Sequence, residues 1–282
     1  MSLQFIMGNS GSGKSYCLYD TVVREAIENP DKNYLVIVPE QFTMQTQKDL
    51  CLAHPKGGIM NIDVLSFGRL AYRVFEEVGQ DARVVLDDEG KNLVLRKIAG
   101  ECEKDLKVFK GNLKKQGYIS EVKSVLSEFA QYGVDFERLD DFMKEVPPES
   151  YLHYKLDDIR TIYEKFEEYL SEKYITKEEM LDVLSDAVPY SDILKGSVVA
   201  MDGFTGFTPV QNRLIGELFS VCEKVMITVT MDGRENPYVY EHPYQIFALG
   251  KQMVTSLMKI AGEKKTEIEE PICLFERPVY RF

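Results

Sequence analysis

Short apolar runs alternate with amphipathic segments near the start of the chain. The runs Leu3 to Met7, Tyr34 to Val38 and Ile59 to Leu65 are each followed by a segment with helical periodicity. The run Tyr34 to Val38 is continuous, which is typical of a parallel strand that is buried on both faces. Strands separated by helices predict βαβ units and a parallel sheet. The expected helices are Tyr16 to Ile27, Phe42 to Leu52, and a segment that Ser66 caps and that extends to about Val78.

The middle of the chain has a different pattern. Between about Arg83 and about Val188 the sequence contains no convincing strand. Instead, amphipathic stretches predict helices at Asp87 to Glu103, Ile119 to Tyr132, Phe136 to Glu145, Leu152 to Lys173 and Lys177 to Ala187. Apolar side chains recur at helical spacing in the fourth of these stretches, which marks its core face. The middle of the chain is therefore expected to be all helical.

The strand pattern resumes in the last third of the chain. Apolar runs at Val198 to Met201 and Val225 to Thr230 predict two more strands, with a helix at Pro209 to Phe219 between them. We therefore predict an α/β fold in which residues 1–82 and 189–282 form a discontinuous core around a parallel sheet. Residues 83–188 are expected to form an inserted all-helical subdomain.

A candidate phosphate-binding loop lies between the first predicted strand and the first predicted helix. Residues 8–15 read Gly-Asn-Ser-Gly-Ser-Gly-Lys-Ser and match the pattern GxxxxGK[ST]. Glycines at these places let backbone N–H groups point at phosphate oxygens, and the helix N-terminus adds partial positive charge. The alternative is a chance Gly/Ser-rich turn. The residues expected to bind ATP are Gly8, Asn9, Ser10, Gly11, Ser12, Gly13, Lys14 and Ser15.

Two side chains are expected to contact the phosphates and the metal ion. Lys14 would reach the β- and γ-phosphates, and the Ser15 hydroxyl would be a Mg²⁺ ligand. The run Val198 to Met201 ends in Asp202, and a carboxylate at the end of the strand neighbouring the phosphate loop holds Mg²⁺ in such sites. The metal ligands are therefore predicted to be Ser15 and Asp202, unless Asp202 is only a surface turn residue.

Composition narrows the class of protein. Hydrophobic residues make up 44% and charged residues 28% of the chain, as in ordinary soluble proteins. No apolar run approaches the roughly 20 residues of a membrane span, and no secretory signal precedes the first strand. The five cysteines are scattered without a CxxC pair, which favours reduced thiols in a cytoplasm over a zinc or iron–sulfur site. The net charge of -12 argues against a strongly basic nucleic-acid binder, although a local groove could still contact DNA.

Three further motifs carry a resemblance to a known family. The segments PEQFTMQ, SFGRLAYRVF and DGFTGFTPVQ occur in the order in which superfamily 1 DNA helicases carry their DNA-contacting and strand-end motifs. Together with the phosphate loop they resemble the B subunit of AddAB-type helicase–nucleases, over essentially the whole chain. The resemblance implies a RecA-like first motor domain of the superfamily 1 helicase type, with a helical subdomain inserted. It also implies that the chain is an N-terminal fragment of a longer subunit.

The sequence departs from the working motors of that superfamily at two places. The glutamate expected after Asp202, which would orient the attacking water, is Gly203, and the glutamine expected to sense the γ-phosphate is Glu235. The resemblance therefore implies a degenerate motor that binds ATP and Mg²⁺ with little hydrolysis. It further implies a cytoplasmic heterodimer with an AddA-type subunit, which resects double-strand breaks for recombination while the B subunit scans single-stranded DNA.

The resemblance also places a candidate DNA-binding surface at the loop tips after the second and third strands. Small amide and hydroxyl groups there suit contacts with backbone phosphates, as does arginine. The predicted DNA-binding residues are Gln41, Thr43, Ser66 and Arg69, with Arg73 as a weaker candidate. Alternatively, Ser66 is only a helix cap and Arg69 only a salt-bridge partner.

Two other functions remain compatible with the residues. A small-molecule or nucleotide kinase also opens with GxxxxGKS, but it needs an arginine-rich lid, and the helical block has no arginine cluster. A scaffold with a vestigial nucleotide site is the third possibility, against which stand the intact Lys14 and Ser15.

Overall fold

A computed structural model describes residues 1–79, 83–113, 115–171 and 173–275 of the chain. The predicted domain boundary at residue 82 and the predicted core stretch 276–282 lie outside these ranges. The chain folds into two compact units: Met1–Gln80 with Val183–Phe282, and Asp81–Asp182. None of the helices in the described ranges is long and apolar enough to cross a membrane.

The secondary structure follows in chain order. The strands are β1 (Ser2–Gly8), β2 (Tyr34–Ile37), β3 (Ile62–Leu65), β4 (Val84–Leu86), β5 (Tyr174–Thr176), β6 (Val198–Met201), β7 (Lys224–Thr230), β8 (Glu267–Ile268) and β9 (Ile272–Leu274). The helices are α1 (Lys14–Glu28), α2 (Thr43–Ala53), α3 (Phe67–Val78), α4 (Asp88–Cys102), α5 (Gln116–Tyr132), α6 (Phe136–Glu145), α7 (Tyr151–Leu170), α8 (Lys177–Ala187), α9 (Pro209–Val221) and α10 (Ala248–Lys264).

The first unit is built on a seven-stranded sheet in the order β3-β2-β6-β7-β1-β8, with β9 also paired to β1. Every pairing in it is parallel. All residues of β2 and β6 are buried, because these central strands are covered on both faces. One cluster of buried side chains from α1 and the sheet includes Leu18, Val22, Val36 and Met226. The prediction of an α/β fold with a parallel sheet is therefore confirmed.

The second unit contains one feature that contradicts the sequence prediction. Strands β4 and β5 pair in parallel, Val84 opposite Tyr174 and Leu86 opposite Thr176. The expectation of an all-helical block over residues 83–188 is therefore wrong. Each strand has only three residues, and such short runs cannot be distinguished from helix-flanking apolar residues by periodicity. Helices α4 to α7 pack around a common core that includes Leu95, Leu126 and Phe166.

Side-chain caps mark the starts of several helices. Asp87 and Ser150 are N-caps whose side chains accept hydrogen bonds from backbone N–H groups of the first turn of α4 and α7. The predicted cap Ser66 does the same at α3, where it accepts from the backbone N–H of Arg69. The sequence pattern does not predict helix α10 or strands β8 and β9, because α10 follows a long turn-rich segment after β7.

Candidate nucleotide site and the neighbouring loops

The loop from Gly8 to Ser15 connects β1 to α1 and depends on its glycines. Gly11 and Gly13 have φ angles of +79° and +90°, which side-chain-bearing residues rarely adopt. A Cβ on Gly8 would collide with Ser12 Oγ and would lie 3.0 Å from the Leu274 carbonyl oxygen. Helix α1 starts after Gly13, which as a glycine offers no side-chain cap to the first N–H groups of the helix. This geometry leaves a helix N-terminus available to an anion.

Lys14 folds over this loop. Its ammonium group donates hydrogen bonds to the carbonyl oxygens of Gly8, at 3.1 Å, and Asn9, at 2.8 Å. Burial lowers the pKa of Lys14, and the nearby carboxylate of Asp202 opposes that shift. The Asp202 carboxylate is thus near enough to Lys14 to favour the charged ammonium group. Both are therefore within electrostatic reach of an anion bound at the loop.

One buried hydroxyl in the loop has no hydrogen-bond partner. Ser12 is 6% exposed, and its Oγ is one of four buried side-chain polar atoms in the described residues that make no hydrogen bond. An unpaired buried hydroxyl costs about 1–3 kcal/mol in mutational data. The groups of the loop that fit the phosphates of a nucleotide are the uncapped start of α1 and the Lys14 ammonium.

Asp202 follows β6 and is held by two hydroxyl groups. Its Oδ1 accepts from the Thr228 hydroxyl at 2.6 Å, and its Oδ2 accepts from the Tyr19 hydroxyl at 2.8 Å. Asp202 is 7% exposed. Burial and the Asp202 carboxylate raise the pKa of Tyr19, which keeps the phenol protonated as a donor. The carboxylate therefore already has a protein donor on each oxygen.

The sheet order corrects one detail of the sequence prediction. The strand that ends at Asp202 does not neighbour the strand of the candidate phosphate loop, because β7 lies between β6 and β1. Met201 pairs with Ile227, and Ile6 pairs with Thr228, so Asp202 lies level with Ile6, below the start of the loop. Asp202 therefore reaches the site across β7 rather than from an adjacent strand.

Metal ligands are few at this place. No group of three or more His, Cys, Asp or Glu side chains that could hold a metal occurs in the described residues. Ser15 is exposed in the first turn of α1. A Mg²⁺ ion held by Ser15 and Asp202 would thus depend on nucleotide oxygens for other ligands, and each Asp202 oxygen retains lone pairs beyond those used by Tyr19 and Thr228.

Position 203, where a catalytic glutamate is expected, has a backbone conformation that favours glycine. Gly203 has a φ angle of +80°, and a Cβ there would contact Pro39 Cδ at 3.5 Å and Phe42 at 3.8 Å. Glu235, which stands where a γ-phosphate sensor is expected, accepts a hydrogen bond from Lys251 Nζ at 2.6 Å. Lys251 is 3% exposed, so this ion pair ties Glu235 to α10. Position 203 therefore carries no carboxylate, and the carboxylate of Glu235 is paired with Lys251.

The predicted DNA-binding residues differ in exposure. Gln41 and Arg69 are exposed. Thr43 is 4% exposed and donates its hydroxyl to the Glu40 carbonyl oxygen at 3.0 Å. Ser66 is 7% exposed and caps α3. The Thr43 hydroxyl is therefore used by the turn that precedes α2, and the Ser66 hydroxyl by the first turn of α3, whose backbone N–H groups lack partners within the helix.

Two other polar side chains near these loops form contacts within the protein. Arg73 forms an ion pair with Asp63 at 3.0 Å. Gln211, which follows the strand-end motif, accepts a hydrogen bond from the Thr208 backbone N–H in a capping box at α9. Both side chains therefore have structural partners.

An aromatic cluster beside Gly203 is not predicted as a unit from the sequence. The ring centroids of Phe67 and Phe204 are 5.4 Å apart, and those of Phe204 and Phe207 are 5.1 Å apart. The cluster joins the start of α3 to the loop after β6. The only signal in the sequence is the spacing of Phe204 and Phe207 around Gly206, which does not reveal that Phe67 packs against both.

The chain matches a family model over almost its whole length. The model is described as ADDB, N-terminal, and it matches residues 5–282. A protein of Lachnoclostridium phytofermentans is 46% identical over 273 residues, which are 96% of this chain and 24% of that protein. Proteins of Clostridium tetani and Clostridium acetobutylicum are each 34% identical over 100% of this chain, which covers 25% and 24% of their lengths. All three are named as the B subunit of an ATP-dependent helicase/deoxyribonuclease, and the chain spans about a quarter of their length.

Proposed function

The chain belongs to the family described as ADDB, N-terminal, and we propose that it forms the nucleotide-binding, DNA-contacting N-terminal region of the B subunit of an ATP-dependent helicase/deoxyribonuclease. In this role it takes part in resection of double-strand breaks for recombinational repair. The observation that carries the proposal is the loop Gly8 to Ser15, which holds Lys14 beside Asp202, next to a glycine at position 203.

ATP with Mg²⁺ is the ligand proposed for this loop. The bound triphosphate would lie against the loop and the start of α1, and Mg²⁺ would be held by Ser15 and Asp202. Lys14 would exchange the carbonyl oxygens of Gly8 and Asn9 for phosphate oxygens, which are stronger acceptors because they are charged. Backbone N–H groups at the start of α1 would face the same phosphates.

The same geometry supports slow hydrolysis. A carboxylate or amide that orients the attacking water contributes several kcal/mol to such reactions, and Gly203 has no side chain to do so. The Asp202 carboxylate keeps Tyr19 and Thr228 as donors and is therefore a metal ligand at most. The proposed region binds nucleotide, and its folded state becomes more stable when the nucleotide is bound. The working motor belongs to another part of the complex.

Single-stranded DNA is the proposed polymer ligand of the loops after β2 and β3. Gln41 and Arg69 are exposed and carry the contacts with phosphates, while Thr43 fixes the turn before α2 and Ser66 fixes the first turn of α3. The proposed partner is an AddA-type helicase–nuclease subunit in a heterodimer. The relatives are named as one subunit of a helicase/deoxyribonuclease, which supports an assembly with a second subunit.

The DNA contact is tested by titrating fluorescein-labelled oligothymidine with the 282-residue chain at several salt concentrations. We expect binding that weakens with salt and that is lost in a Gln41→Ala, Arg69→Gln variant. Arg24→Gln is the matched control, since Arg24 is exposed on α1. Equal binding by the two variants would contradict the assignment of Gln41 and Arg69.

A scaffold with a vestigial nucleotide site is the second candidate. It is favoured by the two hydrogen bonds that already satisfy the Asp202 carboxylate. The unfolding temperature with and without ATP and Mg²⁺ separates the two functions. A bound ligand stabilises the folded state by RT ln(1 + [L]/Kd), about 2.7 kcal/mol at a hundredfold excess over Kd. A scaffold without nucleotide binding shows no shift.

A further inference from the structure

A strongly basic segment lies in the second unit of this acidic protein. Residues 104–115 contain five lysines and one carboxylate, Asp105, although the whole chain has 34 basic and 46 acidic residues. Lys104, Lys107, Lys110 and Lys115 are exposed on the loop between α4 and α5. Lys107 pairs with Asp157 at 2.9 Å. In the described part of the chain, Lys104, Lys110 and Lys115 have no carboxylate partner within ion-pair distance.

A buried carboxylate holds this loop in place. Asp158 of α7 is 1% exposed and accepts hydrogen bonds from three successive backbone N–H groups. The distances are 2.8 Å from Lys107, 2.7 Å from Val108 and 2.8 Å from Phe109. Phe109 and Leu113 of the loop are buried in the core of the unit. The backbone that carries the lysines is therefore anchored.

The surface around the anchored loop adds another cation. An open cleft of about 510 Å³ is lined by the exposed Arg96 of α4 and by the loop residues Glu103, Phe109 and Gly111. Arg96 thereby extends the positive surface beyond the loop. Lys104, Lys107, Lys110, Lys115 and Arg96 are called the lysine loop surface below.

The aromatic side chains beside the lysine loop surface contact other side chains of the protein. Lys107 Nζ lies 4.9 Å from the centre of the Tyr154 ring, and Lys115 Nζ lies 6.0 Å from the centre of the Tyr118 ring. Tyr118 also packs edge-on against Phe109. Single-strand binders offer free aromatic faces on which bases stack, whereas a surface that binds only backbone needs cations alone. The lysine loop surface is of the second kind.

We propose that the lysine loop surface binds the phosphate backbone of duplex DNA without reading its sequence. The inference rests on the proposed function, because that function brings the subunit to DNA ends. The net charge of -12 does not prevent such binding, since charges more than about 10 Å away are screened at 0.1 M salt and the phosphates experience the local lysines. Neutralising phosphates with lysine releases counterions, which makes the binding strongly salt dependent.

The test compares two triple variants of the 282-residue chain. The first is Lys104→Gln, Lys110→Gln, Lys115→Gln, which leaves the Asp158 anchor and the Lys107–Asp157 pair intact. The control is Lys56→Gln, Lys195→Gln, Lys259→Gln, which removes the same charge from exposed lysines outside the second unit. Binding of a fluorescein-labelled duplex of about 30 base pairs is measured by anisotropy from about 50 to 200 mM salt.

We expect the loop variant to bind duplex at least about tenfold more weakly than the control variant at 0.1 M salt. Its plot of log K against log salt should be shallower by about 2.7, because each of the three lost phosphate contacts removes about 0.9 from the slope. Equal affinity and slope in the two variants would overturn the inference. Failure of the unmodified chain to bind duplex would overturn it too.

Further measurements distinguish failure of this inference from failure of the proposed function. Circular dichroism and the unfolding temperature show whether the loop variant is folded. Oligothymidine binding and the stabilisation by ATP and Mg²⁺ are measured on the same preparations. The proposed function fails if the unmodified chain shows neither oligothymidine binding nor stabilisation by ATP and Mg²⁺. The lysine loop inference is decided by duplex binding alone.

Discussion

Tyr19 of α1 donates a hydrogen bond to Asp202 at 2.8 Å, across 183 residues of sequence. The phenol also lies 3.3 Å from the Thr46 hydroxyl, so α1 and α2 both meet the strand end that carries the candidate metal ligand. This bond fixes the Asp202 carboxylate at the site of Lys14, and it keeps one carboxylate oxygen supplied with a donor. The candidate nucleotide site is therefore part of the packing between α1 and the sheet.

Removing the Tyr19 hydroxyl should destabilise the first unit. Hydrogen bonds to a charged group are worth about 1.5–3 kcal/mol, so Tyr19→Phe is expected to lower the free energy of unfolding by roughly that amount. Urea denaturation measures it. Tyr16→Phe is the control, because Tyr16 is 75% exposed on the same helix and should change stability by little. Equal effects of the two substitutions would show that the Tyr19–Asp202 bond contributes nothing to stability.

Gly203 should resist substitution because of its backbone conformation. With φ at +80°, Gly203→Ala is expected to cost about 1 kcal/mol or more, and Gly203→Glu should not create steady ATP turnover. Gly206→Ala is the matched control: in the same loop, Gly206 lies outside the positive-φ region, and a Cβ on it meets no atom within 4 Å. Unfolding free energies and phosphate release measure the two effects. Turnover in the glutamate variant would contradict the account of slow hydrolysis.

The stability of the second unit should fall as pH rises toward 8. Burial and the neighbouring Glu179 raise the pKa of Glu167 to about 7. In the unfolded chain this carboxyl has its ordinary, lower pKa, so between the two values the folded state binds more protons and raising pH removes stability. Glu167→Gln should make the unfolding temperature less dependent on pH between 5 and 8. Glu168→Gln, at an exposed neighbour, should leave the dependence as it is.

Asp158 should be the more important of two adjacent aspartates. Asp158→Asn removes the charge that three N–H groups share and is expected to cost about 2–4 kcal/mol. Asp157→Asn breaks only an exposed pair with Lys107 and should cost less than about 1 kcal/mol. Denaturant unfolding compares them. A larger loss from Asp157→Asn would contradict the role of Asp158 as the anchor of the lysine loop.

The elements that the sequence predicts well are those with a local signal. Strand β1, the glycine loop and α1 follow from an apolar run and a spaced motif within 28 residues. Helix α6 has the bounds that the pattern predicts, Phe136–Glu145, because Asp135 caps it and its apolar face is regular. Strands β4 and β5 escape prediction because they pair across 90 residues and each is three residues long.

The side-chain partners of the candidate site cannot be predicted for the same physical reason. The sequence predicts that Asp202 ends an apolar strand. Its hydrogen-bond donors, Tyr19 and Thr228, belong to other elements that are far from it along the sequence. The burial of Thr43 and Ser66 depends on how the first turns of α2 and α3 pack, which a motif does not encode. Gly203 is recognisable as a missing glutamate, whereas its positive φ needs the folded backbone.

The central claim is that the loop Gly8 to Ser15 binds ATP with Mg²⁺ and scarcely hydrolyses it. Its most direct test is a titration of labelled ATP into the 282-residue chain, with phosphate release followed in parallel, for the unmodified chain, Lys14→Ala and the control Lys56→Ala. We predict saturable Mg²⁺-dependent binding that Lys14→Ala weakens at least about tenfold, because charge-assisted bonds to phosphate are lost, with no steady release of phosphate in any of the three. Steady turnover that Lys14→Ala abolishes, or nucleotide binding that Lys14→Ala leaves unchanged, would contradict the claim.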